Sequence, residues 1–348
     1  MLKSLQKAFK VKEVRDRLLY TFMMLVVIRI GCCLPIPGVD PSYLHDFFSN
    51  LQNSGMGFFN AITGGSFSSM SIFALSITPY ITSSIIMQLL TIAIPKLEEM
   101  QKDGEDGRKK IAEYTRYLTV GLALFESCAM AVGLGGKGLL LEDHRNIWGY
   151  LTVVAAMTAG SALLMWIGER ITDNGVGNGI SIVLLINIVS GTPQDMMTLY
   201  ERFMAGRSVA VATVSGIIVL AIIVAIVVFV LVLNDAERRI PVQYSKKMQG
   251  RRMIGGQSTY IPLKVNTANV IPVIFASSIM SMPVMIAQFF HVDYSTIGGK
   301  ILLALSSSNW FKPEAPAYSI GMLVYIVLVV LFAYFYTSIT FNPLEVAN

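Results

Sequence analysis

Apolar runs alternate with polar and charged stretches along nearly the whole chain, and their lengths decide what they can be. A helical bilayer crossing needs about 20 mostly apolar residues. Runs of roughly that kind lie at 18–34, 77–94, 117–134, 149–167, 180–189, 209–233, 269–290 and 320–340, which predicts eight spans. One stretch breaks the pattern. Residues 47–95 carry no charge, yet they are too many for one span and too polar for two. Their first part, 58–76, is interrupted by Gly64, Gly65 and the serines Ser66, Ser68, Ser69 and Ser71. Irregular backbone survives in hydrocarbon only where protein covers it or where it lines a watery cavity. The stretch therefore predicts a short re-entrant helix feeding a full span, with a cavity in the middle of the protein.

Composition agrees. The chain of 348 residues is 54% hydrophobic and 14% charged, with a mean hydropathy of +0.60. Soluble domains carry about 25% charged residues, so this is an all-α integral membrane protein. Threading eight spans puts 20 of the 27 Lys and Arg on the side that holds both termini. Positive-inside bias then places the N-terminus in the cytosol. Lys3, Lys7, Lys10, Lys12, Arg15 and Arg17 form an amphipathic lead-in along that face. No small-residue cleavage site follows, only CCLPIPG, which predicts a retained first span. Arg29 lies near the far end of that span, where it is expected to snorkel outward. Cys32, Cys33 and Cys128 are too few for a disulfide framework and read as core packing.

Enzymatic chemistry finds no foothold. There is no HExxH, no GxSxG and no pair of intramembrane carboxylates, and no metal site is expected from His45, His144 and His291. GVGNG at 175–179 lacks the Lys of a phosphate-binding loop and reads as a hinge at a helix start. No cofactor is expected. Glu126 is the one ionisable residue deep in a span. A charge there costs about 2.5 to 3.5 kcal/mol on insertion scales, so it is either functional or held neutral by hydroxyls such as Thr82, Ser83, Ser84, Ser277 or Ser278. Ile77 with Ile81, and Ile180 with Leu184, are pairs four apart that each face one way on a helix. The loop at 234–266 carries seven Lys and Arg among β-type residues and turn formers, which predicts a hairpin in the cytosol. Its length exceeds what positive-inside bias requires and suggests an acidic partner or RNA. A secondary transporter is the rival class, but coupled transport needs a pocket with ionisable residues, and only Glu126 qualifies.

These segments carry a resemblance. RIGCCLPIPGVD, GGSFSSMSIFALSITPYITSSIIMQLL, DGRKKIAEYTRYLT, MWIGERITDNGVGNGISI, ERRIPVQY, QGRRM, QSTYIPLKVN, VIPVIFASSI and FYTSITFNP occur in this order. Together they resemble the SecY family, central channel subunits of bacterial protein translocation, over essentially the whole chain.

The resemblance implies a bundle of inverted halves, 1–190 with spans one to five and 191–348 with spans six to eight. Members usually have ten spans, so the second half is expected to be incomplete. It implies a plug at about 58–70, including Phe58, Phe59, Asn60, Ile62, Gly64, Gly65, Phe67 and Met70. It implies an apolar pore ring at Ile77, Ile81, Ile180, Leu184 and Ile274. A lateral gate between spans two, three, seven and eight would include Thr82, Ser83, Gln88, Glu126, Ser277 and Ser278. Docking of the SecA motor and the ribosome would fall on Arg238, Arg239, Lys246, Lys247, Arg251, Arg252 and Lys264. The other implied partners are SecE and SecG, signal sequences, unfolded polypeptides and membrane lipid, in the bacterial cytoplasmic membrane. The expected function is a passive channel for secretory polypeptides, driven by a partner.

Overall fold

The computed structural model describes residues 10–40, 60, 63–242, 247–249, 252–254, 259–289, 296–306, 310 and 316–340. Among them are ten α-helices: α1 Lys12–Cys33, α2 Thr78–Ala93, α3 Pro95–Lys102, α4 Glu105–Leu134, α5 Ile147–Asn174, α6 Gly179–Phe203, α7 Val209–Asp235, α8 Ile271–Phe289, α9 Ile297–Leu305 and α10 Ile320–Thr340. Each predicted apolar run falls on one of these helices. Within the described residues, α5, α6, α7 and Pro316–Ser338 are long and apolar enough to cross a bilayer, and the bent pair α2–α3 makes a fifth. α4 begins well before its apolar run and α6 runs past Pro193, because backbone hydrogen bonding continues beyond the greasy segment. α3 falls where a plain loop is expected. Pro95 opens it, and Ile94 before the proline is extended (φ −112°, ψ 110°), so the chain turns by 102° there.

The chain divides into two compact units, residues 1–193 with 277–326, and 194–276 with 327–348. The first is organised on α5. Gly149, Val153, Met157, Gly160, Ser161, Leu164, Ile167, Gly168 and Ile171 recur every three or four residues and are all buried, so one long face of this helix is core. Two glycines, one on α5 and one on α6, set how closely neighbours approach. A Cβ on Gly160 would overlap the carbonyl of Ile72, and a Cβ on Gly179, at the start of α6, would overlap the carbonyl of Gly168. Polar contacts add to the packing. Ser127 and Thr158 share a hydrogen bond of 2.8 Å between α4 and α5. Arg116 on α4 donates to Glu169 on α5 at 2.7 Å.

The GVGNG stretch is a turn and a cap. Asn178 Oδ1 accepts from the amides of Ile180 (3.0 Å) and Ser181 (3.4 Å), which satisfies two donors at the start of α6. Thr21 Oγ1 of α1 accepts from Val176 N at 3.2 Å and ties the turn to the first helix.

In the second unit α7 is apolar all round and has no buried residue, as suits a helix whose surroundings are lipid or other apolar partners. The predicted hairpin is present. β1 Glu237–Val242 pairs antiparallel with β4 Thr259–Lys264, with Glu237 opposite Lys264 and Val242 opposite Thr259. β2 Lys247–Gln249 pairs with β3 Arg252–Ile254.

Replacing Gly160 with Val should overpack the α5 crossing at the Ile72 carbonyl. The expected cost is about 2 kcal/mol, the usual scale for a forced fit, read as a lower melting temperature in detergent; an unchanged value would show that the crossing is not tight.

Candidate functional site

The site is built around the irregular stretch ahead of α2. Within the stretch where a short helix is expected, Asn60 and Thr63 are helical, and from Gly64 to Met70 the described backbone is a run of turns. Its dihedrals give the reason: Gly64 (φ +66°), Gly65 (φ +82°) and Met70 (φ 40°) are left-handed, and none can continue an α-helix; Ser76 (φ 53°) breaks the chain again just before α2. The exposed edges of such a chain must find partners. Ile72 N donates to Leu34 O at 3.0 Å and Ile36 N to Met70 O at 3.1 Å, so the residues after α1 pair with the turns as a short antiparallel bridge. Ser68 N donates to Asn60 Oδ1 at 3.1 Å. Further on, Asn187 Nδ2 of α6 donates to Ser76 Oγ at 2.9 Å, and Ser161 Oγ of α5 donates to Ser76 O at 3.2 Å.

Arg29 is not a snorkelling residue. Its Nη1 donates to Ser190 Oγ at 2.9 Å and to Gly64 O at 3.5 Å, linking α1, α6 and the turns. The sequence reading missed Ser76, Ser161, Asn187 and Ser190. The signal was an Asn with a Ser three residues later, inside the otherwise apolar run of α6.

Two apolar clusters hold the stretch. Phe67, Met70, Ala74 and Leu75 pack with Ile36, Ala123, Met130, Val153 and Met157. Phe73 and Ile77 pack with Ile28, Leu164, Ile167, Ile171 and Val183, and Ile81, Ile180 and Leu184 lie against this second cluster. Four of the five residues expected in an apolar ring thus share one cluster. Ile77 is fully buried, and the other three are half-buried. The fifth, Ile274, lies in the other compact unit and is half-buried there. Of the expected plug residues, Asn60, Gly64, Gly65, Phe67 and Met70 are described, whereas Phe58, Phe59 and Ile62 lie outside the described residues.

The expected gate residues behave differently from one another. Thr82 and Ser83 turn their hydroxyls onto their own helix, to Thr78 O at 3.1 Å and Pro79 O at 2.7 Å. They therefore do not hold Glu126, whose Oε2 is shielded from solvent without a partner among the described residues. Gln88 is exposed. Ser277 of α8 is within 3.4 Å of Tyr325 Oη of α10, and Ser278 is half-buried. On the hairpin, Arg238, Arg239 and Lys264 are exposed, and Arg239 stacks over the Tyr260 ring at 4.8 Å. Lys247 and Arg252 are strand residues, while Lys246 and Arg251 lie outside the described residues.

A family model described as SecY matches residues 71–348. This chain belongs to the SecY family. It is 44% identical over 360 residues to the protein translocase subunit SecY of Streptomyces scabiei, covering 100% of this chain and 79% of that protein. Solved structures share the fold. One, of a SecY whose plug domain stabilises the closed state of the translocation channel and maintains a membrane seal, aligns with a TM-score of 0.57 at 19% identity, covering 91% of this chain and 71% of that one. Another, Sec61 in the canine ribosome–channel complex, aligns with a TM-score of 0.58 at 20% identity over 96% of this chain and 75% of its own.

The unpartnered Glu126 oxygen makes a prediction. Replacing Glu126 with Leu removes a buried group without a partner and should stabilise the protein by about 1 kcal/mol. A fall in melting temperature in detergent would instead reveal a partner for the carboxylate.

Proposed function

We propose that this SecY-family membrane protein is a protein-conducting channel subunit that closes on an apolar waist at Ile77, Ile81, Ile180 and Leu184. The observation that carries the reading is the gathering of Ile77, Ile81, Ile180 and Leu184 on one apolar cluster, immediately after a non-helical stretch held by buried polar groups. A translocating polypeptide exposes charges and amides that hydrocarbon rejects, so it needs a wet path. An open wet path leaks ions. A constriction of branched aliphatic side chains dewets when empty and yields when a chain enters. The stretch around Asn60–Met70, with Phe58, Phe59 and Ile62, acts as the plug, and a relative's plug domain maintaining a membrane seal supports that role.

Eight spans in inverted halves, 1–190 and 191–348, cross the bacterial cytoplasmic membrane with the N-terminus in the cytosol. α2, α4, α8 and α10 wall a lateral gate through which apolar segments and signal sequences reach lipid. Thr82, Ser83, Gln88, Glu126, Ser277 and Ser278 make that seam polar. The channel performs no chemistry of its own, so direction comes from a partner on the basic hairpin. The exposed Arg238, Arg239 and Lys264 fit a ribosome or the SecA motor, and a fold relative occurs in a ribosome–channel complex. SecE and SecG complete the membrane assembly.

Replacing Ile81 with Ser in the reconstituted channel should raise resting ion conductance about tenfold, since a hydroxyl rewets the waist. Conductance at background would refute the waist. Reversing Arg251 and Arg252 to Glu should weaken ribosome or motor binding about tenfold while leaving membrane insertion intact; undiminished binding would remove the docking role.

A further inference from the structure

We propose that Arg29, Asn187 and Ser190 form a latch that positions the turn segment, and that Arg29 is the residue whose release lets this segment leave its socket. The inference rests on the plug reading above and names what regulates it.

One polar tie reaches the segment directly from α6, and a second runs from α6 through Arg29 of α1. Asn187 Nδ2 holds Ser76 Oγ at 2.9 Å at one end, and Ser190 Oγ receives Arg29 Nη1 at 2.9 Å beside Gly64 at the other. Arg29 also reaches the Gly64 carbonyl at 3.5 Å. Asn187 and Ser190 are three apart, so both project from one side of α6. The fit at Gly64 is close. A Cβ there would lie 2.9 Å from the Asn187 backbone and from Ser190 Oγ, so the segment touches α6 with bare backbone.

The segment is held in place, yet it is not at rest. Met70 and Ser76 both adopt left-handed dihedrals that non-glycine residues avoid, and such a backbone persists only while its surroundings impose it. Two buried side-chain polar atoms at the segment's end and in its socket lack a partner among the described residues, Thr78 Oγ1 and Asn187 Oδ1. Each is a group that water would satisfy once the segment moved away. The closed arrangement therefore combines strong specific ties with strain and unmet hydrogen bonds. That combination is expected of a two-state element and not of permanent core. A cation is a suitable tie, because a charge-assisted hydrogen bond is strong in a dry site and is lost when water or a polar substrate competes for the guanidinium.

The test is resting ion conductance of the chain reconstituted with its membrane subunits in planar bilayers, with Ile81→Ser run alongside. Arg29→Met should raise conductance about tenfold, the population shift that follows from losing one charge-assisted bond. Arg29→Lys, which keeps the charge and the donors, should restore most of the seal. Ser190→Ala removes only a hydroxyl and is expected to fold, so it carries the test if Arg29→Met fails to accumulate in membranes; it should leak more than the unsubstituted protein. The latch is overturned if Ile81→Ser leaks while whichever of these two variants accumulates stays at background. It is also overturned if Arg29→Lys leaks as much as Arg29→Met. If Ile81→Ser stays at background as well, the waist reading fails and the latch falls with it.

Discussion

Every peptide N–H and C=O taken out of water needs a partner, and residues 64–77 meet that demand without forming a helix. Most of their peptide bonds close turns within the segment, and the others go to Asn60 and Thr63, to the chain just after α1 and to the Ser161 hydroxyl of α5. The rest of the first unit follows from this. A segment satisfied by its neighbours must be surrounded by them, so α1, α5 and α6 converge on it. Residues that would ordinarily be apolar in such helices are Ser161, Asn187 and Ser190.

Close approach makes those bonds possible. Gly160 lets the Ile72 carbonyl lie against α5, and Gly179 lets α6 start against the Gly168 carbonyl. Without a hydrophobic drive between helices in lipid, contact at small residues and polar ties supply the association. The apolar clusters then fill the remaining space, with Phe67 and Phe73 of the turn segment inserted among side chains of α1, α4 and α5. Packing and polarity are thus layered: a tight glycine-lined crossing, a greasy fill and a few buried polar bonds at the ends of the segment.

This layering suits a barrier that must also open. An aliphatic cluster excludes water without binding anything, so it can seal and yield with little chemical preference for the passing chain. Polar ties are directional and few, so they can be exchanged for water one at a time. The second unit contributes a different property. Its hairpin displays cations in water, and the Arg239–Tyr260 stack orders one of them.

Helix positions were legible from the sequence because length and hydropathy are local quantities. The runs at 209–233 and 320–340 coincide closely with α7 and α10. The hairpin was legible from its alternation and turn residues, and the Ile/Leu pairs from their spacing of four. The left-handed dihedrals that break the helix between 64 and 76 were visible at Gly64 and Gly65 but not at Met70 or Ser76, where only surrounding contacts hold them. The direction of Arg29 was not legible at all, since its partners lie 35 and 161 residues away in the chain. Thr82 and Ser83 looked like partners for Glu126, yet their hydroxyls closed on their own helix, a choice that depends on rotamer and packing. Composition and periodicity thus determined that this chain enters a membrane and roughly where. Which polar groups meet inside it was decided by the tertiary structure, because a hydrogen bond depends on ångströms in space and not on separation along the chain.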